Sequence, residues 1–548
     1  MNKLKIGFLV DSLNVDYYVS DLICHIKKND LFEEPLLITG YKKKSKKLFY
    51  DKNIFKSILE TLIKKIEYRF VNYTYPNYGK KINLENEDNL KKIFVEGQWS
   101  KSNRNFSFTD NDVKKISSNN LDCIIKCDSE INTEKILNIT SLGILFFYYR
   151  DNRCIGGGPN GFWEVLNNHP SSGFTILKIN EEPCTGDVLL RGNIVTEKFW
   201  LLNHAQVLEK SNFFFKEILN KIAKNKKIPI FEKKIPSEKK ILSLGTIDLT
   251  RYFFKILFPK ILEKVLYLKK IDKIFGKKVE RWNIAYSINN DHKMSLSKFK
   301  VVKNLKNSFF ADPFVFKKDG LNYVFVENYN YSKKKATISA ICLKDNKYEY
   351  LGNVIDESFH LSFPFIFRWE NEIYMIPETH KAKQIRLYKC QSFPMKWKLD
   401  QIIMKNVIAA DTMILRKDKK WFMFTNICSA GLKDLKSELH IFYSENLNSE
   451  NWKPIKSGNP VIFDSMSARN GGFFFKDDNL YRINQIHEKN HYGKSFGINK
   501  IQNLSEESYH EIRVKNIDPT FKKNIISTHH FSADDNLAAV DFCIVDRI

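Results

Sequence analysis

The chemistry-bearing residues of this 548-residue chain concentrate in its last half, where they recur at matching places. Asp312, Ser362, Asp411, Arg469 and His530 open five similar segments, and Glu327, Glu378, Asn426 and Gln485 close the following strand in four of them. Carboxylates can serve as acid, base or nucleophile at a glycosidic centre, while amides and imidazoles bind sugar hydroxyls. We take Asp312, Glu378 and Asp411 as candidate catalytic residues. Glu327, Arg469, Gln485 and His530 are candidate substrate contacts, with Arg469 suited to an anionic group. The structural alternative is that these carboxylates cap turns or pair with Arg469. No metal site is expected among them.

A repeat must position these residues. FADPFVFKKDGLNYVFVEN (310–328) is echoed by LSFPFIFRWENEIYMIPET (361–379), AADTMILRKDKKWFMFTN (409–426), SARNGGFFFKDDNLYRINQ (467–485) and, more weakly, THHFSADDNLAAVDF (528–542). Each unit has a small or polar opening, an apolar run, a turn with Asp or Asn, and an aromatic-rich second strand. A period of roughly 50 residues with a hairpin in each unit predicts a β-propeller. The reading is five blades over 281–548, with RWNIAYSI (281–288) as an opening strand.

The first 205 residues alternate strand-like runs (KIGFLV, PLLITGY, LDCIIKC, LGILFFYY) with helical stretches such as 57–69, which predicts an α/β domain with a parallel sheet. Residues 206–280 read as a basic helical linker. Phe254, Leu257, Ile261, Val265 and Leu268 fall near one helical face, lysines flank them, and Pro259 is expected to kink or restart the helix. That face either packs on a neighbouring domain or lies on an anionic membrane surface.

Composition bounds the function classes. The chain has 88 basic and 63 acidic side chains, a formal charge of +25, with 43% hydrophobic and 14% aromatic residues. It has material for cores, and its charge favours anionic neighbours, although abundant Lys, Asn and Ile also fit a general compositional bias. No basic–aromatic strand pattern or recognition motif points to nucleic acid. No apolar run reaches about 18 residues, and the opening IGFLV reads as a buried strand and not a signal peptide. Nine scattered cysteines show neither disulfide nor zinc spacing, so a cytoplasmic location is expected, with a peripheral place at the membrane's inner face as an option.

Two resemblances sharpen this reading. ADPF, HLSFPF, IPET, ADTM, ARNGG, YRINQ and HYGKSFGINKIQNLSEESYHE resemble the propeller domain at the N-terminus of plant glucosamine inositolphosphorylceramide transferase, which is similar to family-43 glycoside hydrolases. The likeness to those hydrolases implies a general base at Asp312 and looser matches at Glu378 and Asp411. Residues 141–194 (SLGILFFYYRDNRCIGGGPNGFWEV and onward) resemble the catalytic part of folate-dependent formyltransferases, a Rossmann-type α/β fold. That likeness implies a tetrahydrofolate derivative as cofactor. Its Asn, His and Asp are replaced here by Phe146, Tyr148 and Cys184, and a phenyl ring donates no hydrogen bond to an oxyanion. Nearby Arg150, Asp151 and Arg153 are candidate contacts for a phosphate or carboxylate. The combined expectation is a transferase of bacterial surface-polysaccharide or glycolipid biosynthesis, acting on a carbohydrate, nucleotide-sugar or lipid-linked glycan. A non-catalytic glycan scaffold and a propeller glycoside hydrolase are the alternatives.

Overall fold

The computed structural model describes residues 3–40, 54–87, 89–99, 106–127, 131–149, 159–181, 185–235, 244–267, 278–288, 295–344, 347–431, 434–489, 491–535 and 537–547. They divide into two compact units, Met1–Lys264 and Val265–Ile548. Arg150, Asp151, Arg153, Cys184 and Leu268 lie outside the described residues. No described helix is long and apolar enough to cross a membrane.

The first unit is built on a mixed sheet of eight strands: β1 (Ile6–Leu9), β2 (Leu36–Thr39), β3 (Lys91–Phe94), β4 (Cys123–Lys126), β5 (Gly143–Tyr148), β6 (Ser171–Glu181), β7 (Thr185–Val195) and β8 (Glu232–Ile235). Strands β1 to β5 pair in parallel in the order β3-β2-β1-β4-β5, and β6, β7 and β8 continue the sheet antiparallel. The order 3-2-1-4-5 is that of doubly wound folds, whose crossovers are helical. Here α1 (Tyr17–Lys27), α2 (Ile54–Thr74) and α3 (Asp110–Ser117) make three of them. Strands β1, β2 and β4 are buried at every position, as strands covered on both faces must be.

Of the stretch read as a linker, the residues up to Lys264 are grouped with the first unit. After a short α4 (Phe162–Leu166), α5 spans Trp200–Asn225 and buries Leu201, Ala205, Phe215, Leu219 and Ile222 against this same unit. Helix α6 (Thr246–Tyr252) belongs to it as well. The Tyr252 hydroxyl accepts from the Trp200 N–H (2.7 Å) and donates to Glu67 (2.5 Å), whose other oxygen accepts from the Leu201 N–H (2.7 Å). Two buried side chains thus satisfy amides that the first turn of α5 leaves open.

The expected helical face at Phe254, Leu257 and Ile261 also changes. Phe253–Leu257 winds as a π turn ahead of α7 (Phe258–Tyr267). Pro259, near the start of α7, has no N–H to give to the preceding turn, and wider winding absorbs the loss. The extra residue rotates the helix, so Leu257 is buried while Phe254 and Ile261 face solvent.

The second unit is a ring of five sheets. Their innermost strands are β10 (Ser308–Lys318), β12 (Ser362–Trp369), β14 (Ala409–Lys417), β16 (Asn470–Lys476) and β18 (Phe531–Asp534). Each hairpins into its neighbour: β11 (Leu321–Asn330), β13 (Glu372–Glu378), β15 (Lys420–Ile427), β17 (Asn479–Glu488) and β19 (Leu537–Arg547). The inner strands neighbour one another in sequence, and β18 returns to β10, which closes the circle. Strand β9 (Lys278–Ser287) pairs along β19, so the fifth blade joins the two ends of the propeller segment. Apolar layers tie the blades around the ring: Phe314, Phe365 and Met413 across the first three, Phe424 and Ala468 next, then Phe474 and Val540, then Phe310 and Ala539. Inner strands covered on both faces explain why FVF and FIF run apolar without alternation.

Candidate functional site

The inner strands carry a bulge near their start, and the bulge aims the site. Between Ala311 and Phe314, between Ser362 and Phe365, and between Ala410 and Met413 the ladder slips. Asp312, Phe363 and Asp411 occupy the slip with φ of +49°, +46° and +49°. This left-handed conformation is uncommon outside glycine and re-aims a side chain toward the axis. Pro313 and Pro364 follow where the ladder is broken and no donor is missed. The register also corrects two expectations. Phe363, not Ser362, is the counterpart of Asp312 and Asp411, and Asn484, not Gln485, stands opposite the inner strand as Glu327 and Glu378 do.

Arg469 is the hub of a buried network. Its Nε donates to Asp411 Oδ2 (2.6 Å) and its Nη2 to Asp411 Oδ1 and Glu378 Oε2 (both 3.3 Å). Gln485 donates to the same Asp411 oxygen at 2.8 Å. Burial opposes the Arg469 charge, but Asp411 and Glu378 more than restore it. Glu378 is pushed up by burial, yet His380 (Nδ1 to Oε1, 2.5 Å) and Arg469 outweigh this and hold it at about 2. Asp411 and Gln485 are absent from the cavity wall and act behind Arg469 as its anchor. The expectation that Asp411 meets substrate is therefore revised, because its carboxylate is spent on the guanidinium fork.

A second cluster faces the first. Asp541 Oδ1 accepts from the backbone N–H groups of His529 and His530 (both 2.9 Å), and its Oδ2 lies 2.6 Å from His529 Nδ1. The other His529 nitrogen is 3.5 Å from Asp312 Oδ1. Burial lowers His529, but Asp541 and Asp312 reverse the sign and favour its cation. Asp312 is pushed up to about 6 by burial, by Asp541 and by Glu378, against the pull of His529 and Arg469. Burial, and then the Asp312 and Glu378 carboxylates, raise Glu327 well above the usual carboxylate range. Asp312, His529 and Asp541 also have the types and spacing, within 4.8 Å, of a metal-ligand set. His529, raised by those acids, lies between them as a counter-charge.

Side chains of both clusters reach a cavity of about 340 Å³ at the axial mouth. Asp312, Glu327, Glu378 and Arg469 reach it, as do Ser362, His360, His380, His529, Trp282, Tyr329 and Tyr492. His530 does not. Just ahead of β18 it turns away from the cavity and packs against the Phe314 and Phe363 rings, and burial depresses it to about 3. Sequence reading missed His529, its neighbour in the same THHF run, and Asp541. It also passed over Tyr492, whose ring lies 5.5 Å from the Arg469 guanidinium. Histidines at blade ends (His360, His380, His529) were the available signal.

Of the residues singled out in the first unit, Phe146 is buried in β5 beneath Lys126, whose Nζ lies 5.4 Å from its ring centre, and Tyr148 is half-buried near the end of that strand.

Residues 268–533 match the family described as glucosamine inositolphosphorylceramide transferase 1, N-terminal. Glucosamine inositolphosphorylceramide transferase 1 of Arabidopsis thaliana is 35% identical over 237 residues, 41% of this chain and 30% of that protein. Its counterpart in Oryza sativa subsp. japonica is 34% identical over 213 residues, 38% of this chain and 28% of that one. The chain thus spans about 30% of the length of these relatives. Among solved structures, a thermostable family-43 glycoside hydrolase aligns at 12% identity over 44% of this chain and 91% of its own, with a TM-score of 0.32. The catalytic domain of the Coprinopsis cinerea GH62 α-L-arabinofuranosidase aligns at 11% over 47% and 97%, also at 0.32. The closed strand order described above, not these superpositions, establishes the five-bladed ring.

Proposed function

We propose that this chain serves glycan or glycolipid assembly as a transferase whose propeller holds the sugar acceptor in the axial cavity. One observation carries the reading. Asp312 faces the cavity with a carboxyl near 6, and its Oδ1 makes no hydrogen bond among the described residues, although His529 lies 3.5 Å away. A carboxylate that is ionised at pH 7 but still basic can accept a hydrogen bond from an acceptor hydroxyl and take its proton. Glu327 and Glu378 bring carboxyl groups within reach of sugar hydroxyls, and the rings of Trp282, Tyr329 and Tyr492 give a sugar an apolar surface. A lipid-linked glycan is the preferred acceptor class and a nucleotide-sugar the preferred donor class. Arg150 and Arg153 are proposed contacts for the anionic part of the donor in the formyltransferase-like unit. The 3-2-1-4-5 strand order suits a unit of that kind.

Calorimetry of the full chain against monosaccharides, nucleotide-sugars and detergent-solubilised glycolipids tests the proposal. At least one sugar should bind, and Asp312→Asn should weaken it by about tenfold or more, the range for a lost charged hydrogen bond. Failure of every sugar to bind, or unchanged binding by the variant, overturns it.

A hydrolytic reading has its own support, a Glu327 carboxyl raised by burial and by the basic Asp312 beside it. Release of reducing sugar from oligosaccharides, lost in Glu327→Gln, would select it.

A further inference from the structure

Two helices of the first unit carry apolar side chains that its core does not use. Helix α2 buries Ile63, Glu67 and Val71, while Ile54, Ile58 and Leu62 repeat at the same four-residue spacing. At 100° per residue the two triplets are centred about 180° apart. The outer one is bare: Ile54 is 64% exposed and Ile58 61%, with Phe55 and Tyr73 exposed beside them. The second helix is the stretch rotated by the π turn. Ile247, Phe254, Phe258, Ile261 and Leu262 are all exposed there, and the Phe254 and Phe258 rings lie against each other at 6.0 Å. The helices are joined through the Glu67–Tyr252 hydrogen bond. Single exposed apolar residues are ordinary, but a helical stripe turned away from its own core is not.

The charge around these stripes identifies what covers them. Lys65 and Arg69 lie on the outer side of α2, and Arg251 accompanies the second stretch. Of the acids nearby, Glu60 and Glu263 are held by Lys64 (2.6 Å) and Lys260 (2.7 Å) of their own helices, and Asp248 accepts from the Gly245 N–H (3.0 Å). We propose that this face docks on an anionic bilayer, with the stripes at the boundary between head groups and acyl chains and the basic side chains on the lipid phosphates. A second copy of the chain fits worse, because an isologous contact would set one basic surface against another. The proposal does not depend on what the propeller binds.

The test uses the full chain and vesicles of phosphatidylcholine alone or mixed with phosphatidylserine. The protein should float with the mixed vesicles, far less with the neutral ones, and release as salt rises. Ile58→Asp/Leu62→Asp and Phe254→Asp/Phe258→Asp should each lower partitioning by about tenfold or more. Their melting temperatures should stay at the parent value, since the replaced groups are exposed. If either pair fails to fold, Ile58→Ser and Phe254→Ser replace it in the same assay. No binding to the mixed vesicles, or binding unchanged by the substitutions, overturns the proposal. So does sedimentation velocity showing a parent dimer that these substitutions split, which would give the face to a second copy.

Discussion

Replacing Asp312 by Asn separates the folding cost of the axial cavity from its use. Asp312 is 5% exposed, and its carboxyl rises from 3.8 to about 6, through burial first and then through Asp541 and Glu378. In the unfolded chain it returns to its ordinary value. From about pH 4 to about pH 6 the folded state therefore keeps a proton that the unfolded state has released, and stability falls as pH rises through that window. The gap from 3.8 to about 6, at roughly 1.4 kcal/mol per pH unit, amounts to about 3 kcal/mol lost by pH 7. Asn does not titrate. It keeps an oxygen for the Phe363 N–H, now 3.1 Å from Asp312 Oδ2, and it tolerates the +49° backbone. It also removes a counter-charge 3.5 Å from His529, which subtracts from the gain. Asp312→Asn should accordingly be more stable than the parent by about 1–3 kcal/mol at pH 7 and equal to it near pH 4. Urea unfolding followed by tryptophan fluorescence across that pH range measures the difference. A variant less stable at pH 7, or a gain that does not change with pH, would refute the picture of Asp312 as a crowded, buried carboxyl.

Three other substitutions or assays probe the remaining parts. Arg469→Ala leaves Asp411 and Glu378 buried without their cation and should cost about 3–5 kcal/mol at neutral pH, part of it recovered by adding Asp411→Asn, as read from the same urea curves. Glu378, held at about 2 by His380 and Arg469 against its burial, contributes stability that is present above about pH 4.5 and lost as pH falls toward 2. Glu378→Gln should therefore be destabilised at neutral pH and show a flatter acid limb in circular dichroism, and a limb as steep as the parent's would contradict the assignment. Incubated with formyltetrahydrofolate and an amino sugar, the chain should show no enzyme-like formyl transfer, because Phe146 offers no oxyanion donor. Robust turnover in a coupled absorbance assay would reverse that conclusion.

The repeat of a polar opening, an apolar run and an aromatic second strand was enough to place five blades in 281–548, since a blade cannot bury its faces alone and must recur. The alternation of strands and helices likewise announced the α/β character of the first 205 residues. Residue types also marked Asp312, Glu327, Glu378 and Arg469, four side chains that reach the axial cavity.

What each of those groups does was decided elsewhere. A bulge shifts a strand by one residue, so Phe363 replaces Ser362 in the bulge, and of the adjacent His529 and His530 it is His529 that enters the mouth. Asp411 repeats the backbone of Asp312 yet serves Arg469 behind the wall, because a guanidinium delivered from the fourth blade meets it first. The same holds for the helices. Local periodicity fixed that α7 is amphipathic, but one π turn before Pro259 set which side chains point outward, and the fit of α5 onto the sheet joined residues after 205 to the first unit. Amino-acid sequence by itself determined which segments form strands and helices and which polar residues each blade brings to the axis. Register, bulges and burial, which depend on atoms far apart in the chain, decided their protonation, their partners and their access to the cavity, because electrostatic energies depend on separation in space and on the exclusion of water.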